Sequence, residues 1–360
     1  MNKRNFIKSL GIGSVAMMQP GIATRSFAHE KKAGEVARKV QHRVWINPNH
    51  KDAADDVRKL YKTYKEAGIG VIYFEDDSPM HFKIAKELGI EAHRWFWTMN
   101  RNDKNLMATQ PGCYSQSKTG ASCATNPPYV DYYRFLCPNQ PGTLKYLKEQ
   151  VKEIVSKDYV DGLHLDYIRF VDVILPVNLW KKYGIDQSRE LPQYDFCYCQ
   201  TCRDKYKSIY GVDPMDMEHP DQSPSWRKFR YDSITNIVSN LSRLAHQHKK
   251  PITAAVFPTP EIAKRIVRQD WVNWPMDGIC PMIYHGFYNE GVRWIGDAVA
   301  EGVNALSGKF PLYAGLFLPD FKNVGEIKEG VKLALDNGAA GVSIFGQLTP
   351  EVLGVLRETV

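Results

Sequence analysis

The chain has 360 residues, 43% of them hydrophobic and 24% charged, with a formal net charge of +7. That length can bury the core of one large barrel or of two smaller domains. The first 28 residues read as an export signal: "MNKRNFIKSLG" is a basic start, "IGSVAMM" a short apolar run, and Ser26-Phe27-Ala28 a small-residue cleavage site. The run is too short and too interrupted to anchor in a bilayer. Lys3-Arg4 stands where a twin-arginine signal carries its Arg pair. Removing Lys3, Arg4, Lys8 and Arg25 leaves 43 basic residues against 40 acidic ones, a net charge of +3. So balanced a chain gives no reason to expect a nucleic-acid or membrane partner, and localisation is expected to be periplasmic or extracellular.

From residue 42 onward, short apolar runs alternate with amphipathic stretches. "HRVWINPN" predicts a strand and "AADDVRKLYKTYKEAG" a helix stopped at Gly68. "IGVIYFEDD" and "HFKIAKELG" repeat the pair, and "IEAHRWFWTMN" is a third strand. "TLKYLKEQVKEIVSKDY" is the helix that precedes a fourth strand, "VDGLHLDYIRF". Four more strands follow in "PITAAVFP", "DGICPMIYHG", "FPLYAGLFLPD" and "AAGVSIFGQL". Eight strand–helix units predict an α/β chain, a closed (β/α)8 TIM barrel filling residues 29–360 as one catalytic domain. No G-x-G-x-x-G follows the first strand, which argues against a dinucleotide site. Two long insertions, about 101–141 and 171–224, leave from the C-terminal ends of strands three and four. This is the face where barrels of this kind carry their sites.

The fourth strand raises the question of function. Residues two apart share a strand face. Leu163 and Leu165 therefore point to the helix layer, and His164 and Asp166 point into the barrel, Asp166 nearer the mouth. A buried carboxylate needs a partner, and Arg169 or His164 is near enough to be one. Other strand ends add Trp45, Asn47 and Asn49; Glu75, Asp76 and Asp77; Arg94, Trp95, Trp97 and Asn100; Tyr284 and His285; Asp320; and Gln347. Carboxyls beside aromatic rings suit a sugar: the rings stack on a pyranose face, and amide, imidazole and guanidinium groups bond its hydroxyls. Cleavage of a glycosidic bond needs a carboxyl acid and, usually, a second carboxylate. Asp166 is the first candidate catalytic residue and Glu75 or Asp76 its partner, with Asp320 behind them. His164, Arg169, Trp45, Asn47, Arg94, Trp97, Asn100, Tyr284, His285, Asp320 and Gln347 are candidate substrate contacts. Neither a cofactor nor a catalytic metal is expected, and the partner is a glycan. Two alternatives stay open: a non-catalytic glycan-binding barrel, and a metal-assisted hydrolase using His164, Asp166 and His285.

There are seven cysteines, at 113, 123, 137, 197, 199, 202 and 280. Cys280 sits in an apolar strand and reads as core. Cys197, Cys199 and Cys202 form C-x-C-x-x-C. Export makes disulfides plausible. Three thiols can also hold a metal, but a structural zinc wants four ligands, and the fourth has to be His219 or a distant cysteine.

"DGLHLDYIRF", "CYCQTCRDKY", "SPSWRKFRYDSI", "DGICPMIY" and "GVSIFGQL" together resemble the family-10-like glycosyl hydrolases, over residues 42–355. The resemblance implies a β/α barrel acting on a glycan, with the strand-four aspartate at Asp166. A more distant likeness is to chitinase-type family 18 barrels, which carry D-G-x-D-x-D-x-E on strand four. Here His164 replaces the middle aspartate and Ile168 the glutamate, and strand six ends Tyr284-His285 where that family has Tyr-Asp. The chitinase mechanism is therefore not carried over.

Overall fold

In the computed structural model, residues 40–360 are described; the expected export signal lies outside them. Eight strands form: β1 His42–Ile46, β2 Ile69–Phe74, β3 Glu91–Trp97, β4 Gly162–Asp166, β5 Ile252–Val256, β6 Gly278–Pro281, β7 Tyr313–Phe317 and β8 Gly341–Phe345. All ladders are parallel, in the order β6-β5-β4-β3-β2-β1-β8-β7. Parallel bridges Ile279↔Leu312 and Met282↔Gly315 join β6 to β7 and close the ring. The (β/α)8 barrel expected from the alternation is therefore what forms.

The barrel helices are α1 Ala54–Glu66, α2 Pro79–Glu87, α3 Pro141–Val155, α4 Pro224–Gln247, α5 Pro260–Val267, α6 Trp294–Leu306, α7 Val324–Asp336 and α8 Pro350–Arg357. Six of them (α2, α3, α4, α5, α7 and α8) carry a start signal in the sequence. Five have proline in the first turn, where the missing N–H costs nothing, and α7 has the Asn323 side chain accepting from the Glu326 N–H. The stretch "IAKRIVRQDWVNWP", which reads as a helix over 262–275, is helical only in α5. That helix ends at Arg268 in the left-handed region (φ 58°), and a 3-10 turn, Trp271–Asn273, takes over.

The strand phase divides the core in two. Leu163 and Leu165 join the layer between strands and helices. Inside the ring, Trp45, Val71, Tyr73, Trp95, Ala255, Cys280 and Tyr313 pack together. Cys280 is buried there, beside the Tyr73 hydroxyl and Ser343 Oγ, each 3.4 Å away. At the opposite end of the barrel from the mouth, the Arg43 guanidinium lies 3.5 Å from the Tyr313 ring centroid and donates to the Tyr73 hydroxyl.

Both insertions fold over the mouth. The first docks on β3 through the Asn100↔Phe135 bridge. The second runs along the end of α5, where Phe170 and Val173 N–H groups donate to Val267 and Ile266. Buried ion pairs Arg230–Asp195 and Arg268–Glu190 tie its far half to α4 and α5. Among the described residues no helix is long and apolar enough to cross a membrane.

Candidate active site

A cavity of about 480 Å³ opens at the C-terminal mouth of the barrel. Its floor is set by His164. Trp45 Nε1 donates to His164 Nε2 (2.9 Å), so the proton of the neutral ring sits on Nδ1, which donates to Thr253 Oγ1 (2.8 Å). The ring stacks on Tyr73 with centroids 3.7 Å apart. Burial, aided by the nearby His93 and Arg43, drives its pKa well below the ordinary histidine value. His164 is thus a neutral support that orients Trp45, which does line the cavity.

Asp166 closes β4 and faces the same space. Its partners are not the Arg169 or His164 that proximity suggested. Trp95 Nε1 donates to Oδ2 (2.9 Å) and the Tyr167 N–H to Oδ1 (2.6 Å). Tyr167 itself adopts a left-handed backbone, φ 48°, a conformation that stores strain in a bulky residue. Arg169 pairs with Asp172 instead (2.8 Å), both buried, and the pair lines the cavity opposite the strand ends. Burial pushes the Asp166 carboxyl up, against the opposing pull of its two N–H donors and of Arg169.

Glu75 follows β2 and lines the same cavity. Arg94 grips the chain here by donating to the carbonyls of Phe74 (3.2 Å), Glu75 and Trp95. Arg94 therefore acts on the Glu75 backbone and leaves the carboxyl free to face the cavity. Burial raises the Glu75 pKa first, and the charge of Asp166 raises it further; Arg94 opposes both. Both carboxyls are raised by burial; only Asp166 has N–H donors holding its charge, and Glu75 is raised further by the charge of Asp166.

The neighbouring Asp76 does not share this environment. It is more than half exposed and bonded to His50 (2.9 Å), which holds its carboxyl below the usual range. Asp77 bonds Lys157 and Tyr159. Asp320 accepts from the Gly286 N–H (3.0 Å), and burial raises its pKa, but it does not line the cavity. His285 is buried against Phe321, 4.8 Å between centroids. With both His164 nitrogens engaged, the His164–Asp166–His285 set does not converge; among the described residues only four cysteines bring metal-ligating atoms together. Gln347 is exposed and outside the cavity.

The walls are aromatic. Trp97 is half-buried and leans on Tyr167, 4.6 Å between centroids. Across from it, Tyr284, Phe317 and Phe345 form a stack, with Phe345 37% exposed at the rim. Asn47 lines the same space. A second, polar cavity of about 430 Å³ shares Glu75, Trp95 and Trp97 with the first and adds Arg94 and Asn100. Asn100 there accepts from the Arg134 N–H (2.9 Å), which fastens the first insertion. Asp172, Tyr133, Phe257, Met282, Phe287, Tyr288 and Phe345 line the main cavity and were not singled out from the sequence. Only Phe345 carried a usable signal, as the last residue of a strand.

Residues 75–300 match the family model described as Glycosyl hydrolase-like 10. The chain belongs to the glycosyl hydrolase-like 10 family. Both carboxyls, Glu75 and Asp166, and both insertions fall inside the matched span. No curated protein matches the sequence. Among solved structures, this glycosyl hydrolase-like 10 chain is similar to the PgaB (BpsB) glycoside hydrolase domain from Bordetella bronchiseptica, at 12% identity and a TM-score of 0.67, covering 89% of this chain and 98% of that one. The beta-amylase catalytic domain from Paenibacillus polymyxa aligns at 12% identity and a TM-score of 0.61, covering 90% and 98%. A chitinase from Chromobacterium violaceum aligns at 7% identity and a TM-score of 0.50, covering 89% and 98%. At these identities the likeness is one of fold, a glycoside-hydrolase-like TIM barrel.

Proposed function

We propose that the protein is an exported glycoside hydrolase that cleaves O-glycosidic bonds of an oligo- or polysaccharide at the barrel mouth, with Asp166 and Glu75 as its two carboxyls. The observation that carries this reading is their shared, aromatic-walled cavity together with their unlike surroundings. Two titratable groups whose environments separate their ionisation are suited to an acid/base division of labour. Asp166, held by two N–H donors, is the carboxylate that acts as base or nucleophile. Glu75, pushed up by burial and by the Asp166 charge, keeps its proton and delivers it to the departing glycosidic oxygen. Trp97 and Phe345 are the stacking surfaces for sugar rings, and Asn47 and the Tyr284 hydroxyl are the contacts for sugar hydroxyls. Export rests on the basic, then apolar, then small-residue pattern of residues 1–28.

The test is release of reducing ends from bacterial, plant and animal glycans by wild type and by Asp166→Asn. The variant is expected to lose about 10²–10⁴-fold in kcat while keeping its circular dichroism spectrum. Its folding stability should fall modestly, by about 1–2 kcal/mol, because an amide nitrogen then faces an N–H donor. Near-full turnover by the variant on a glycan the wild type cleaves would remove Asp166 from the chemistry.

A further inference from the structure

The cysteine cluster of the second insertion is used by nothing in the cavity. Its fourth member comes from the other insertion. Cys137, four residues before α3, brings its sulfur within 3.6 Å of Cys199 Sγ and 3.4 Å of Cys202 Sγ. Cys197 completes the group: all four sulfurs lie within 4.8 Å of one another and all four residues are buried. Cys197 and Cys199 sit in the segment that enters the helix Gln200–Tyr210, and Cys202 sits in that helix's first turn.

We propose that Cys137, Cys197, Cys199 and Cys202 bind one structural zinc ion as a closed tetrathiolate site. Three observations carry this. The first is spacing: with Zn–S at about 2.3 Å, a tetrahedral site holds its sulfurs about 3.8 Å apart, near the separations seen, whereas a disulfide needs about 2.05 Å. The second is the absence of pairing. Cys137 is almost equidistant from Cys199 and Cys202, so the group forms one cluster rather than two couples. The third is the surrounding donors. The Gln116 N–H points at Cys197 Sγ (3.4 Å), Asn139 Nδ2 at Cys202 Sγ (3.3 Å) and Gln140 Nε2 at Cys199 Sγ (3.8 Å). Four thiolates around a divalent ion leave a net negative charge, and N–H groups aimed at the sulfurs offset it.

Soft thiolates in a tetrahedral set select zinc over oxygen-seeking ions, and four protein ligands leave no position for substrate or water. The site is a clip. It fastens the insertion that carries Tyr133 to the insertion that carries Asp172, both of which line the main cavity. It stands apart from the hydrolase reading, since neither needs the other.

The deciding experiment is elemental analysis of the full chain, purified without chelator, alongside its intact mass under denaturing, non-reducing conditions. The expected result is one zinc ion per chain, with the mass of the fully reduced cysteines. Replacement of the zinc by cobalt(II) should add thiolate-to-cobalt charge-transfer bands and the visible absorption of a tetrahedral cobalt centre. Cys199→Ser should lose the zinc, and Cys280→Ser, at the barrel centre, should keep it. If Cys199→Ser fails to fold, the wild-type metal content and cobalt spectrum still decide. A metal-free protein would overturn the proposal, whether its mass shows the loss of four hydrogens to two disulfides or shows free thiols. Iron in place of zinc would overturn the zinc assignment.

Discussion

Two adjacent residues, Glu75 and Asp76, show what one position decides. Both are acidic and both follow β2, but only Glu75 turns into the cavity, while Asp76 is solvated and bound to His50. The sequence offered them as equals, because the turn of a loop just past a strand end is set by contacts such as Arg94 on the Glu75 carbonyl. Asp166 was legible because it lies inside a strand, where period-two alternation fixes its face. Trp97 followed the same rule and is half-buried, touching Tyr167 and both cavities. Trp97→Ala is therefore expected to weaken glycan binding by about 1–3 kcal/mol with a modest loss of stability. Trp226, fully buried in the first turn of α4, is the contrast: its truncation should cost about 3–5 kcal/mol of folding stability. Thermal melts and ligand titration of Trp97→Ala check this; unchanged affinity with a large drop in stability would place Trp97 in the core.

The strands and barrel helices were legible as elements because each carries its own periodicity and its own stop signal. What joins elements was not, because partners far apart in sequence decide it. His42 shows this at the β1–β8 seam. Its Nδ1 accepts from the Val342 N–H (3.3 Å) and its Nε2 donates to Thr359 Oγ1 (2.8 Å), which ties β1 to β8 and to the end of the chain. Burial lowers the His42 pKa from 6.5 to about 4. The unfolded chain therefore binds this proton at a higher pH than the folded one. The seam's contribution is intact above about pH 6.5 and is lost as pH falls through about 4, on the order of 3 kcal/mol in all. His42→Gln, which can still accept from Val342 and donate to Thr359, should show a shallower decline in urea-unfolding stability between pH 7 and pH 4. Parallel declines in the two proteins would show that His42 does not titrate as described.

At the scale of the molecule, the ring is weakest where it closes. β6 and β7 touch through two bridges, and the contact requires a bare backbone at Gly315: a Cβ there would stand 2.7 Å from the Pro281 carbonyl oxygen. Gly315→Ala should cost about 1–3 kcal/mol and speed amide exchange in β6 and β7. Gly112→Ala is the control, since a Cβ at Gly112 meets nothing within 4 Å. Equal stabilities for the two variants would mean the seam yields freely. The insertions were legible as long excursions from the mouth, but not their joint result. Arg169 reaches Asp172 rather than Asp166, and Cys137 meets cysteines more than fifty residues away. The cysteine grouping arises only once both loops lie over the same barrel face, whereas the Arg169–Asp172 pair is made within three residues.

In the proposed reaction Glu75 supplies a proton and Asp166 a charge to one glycosidic bond. Turnover of Glu75→Gln tests it most directly, measured on a natural glycan and on an aryl glycoside of the same sugar whose phenol leaves without protonation. The expected result is a loss of about 10²–10⁴-fold on the glycan and a far smaller loss on the aryl glycoside. Equal losses on the two substrates, or full activity on the glycan, would contradict it.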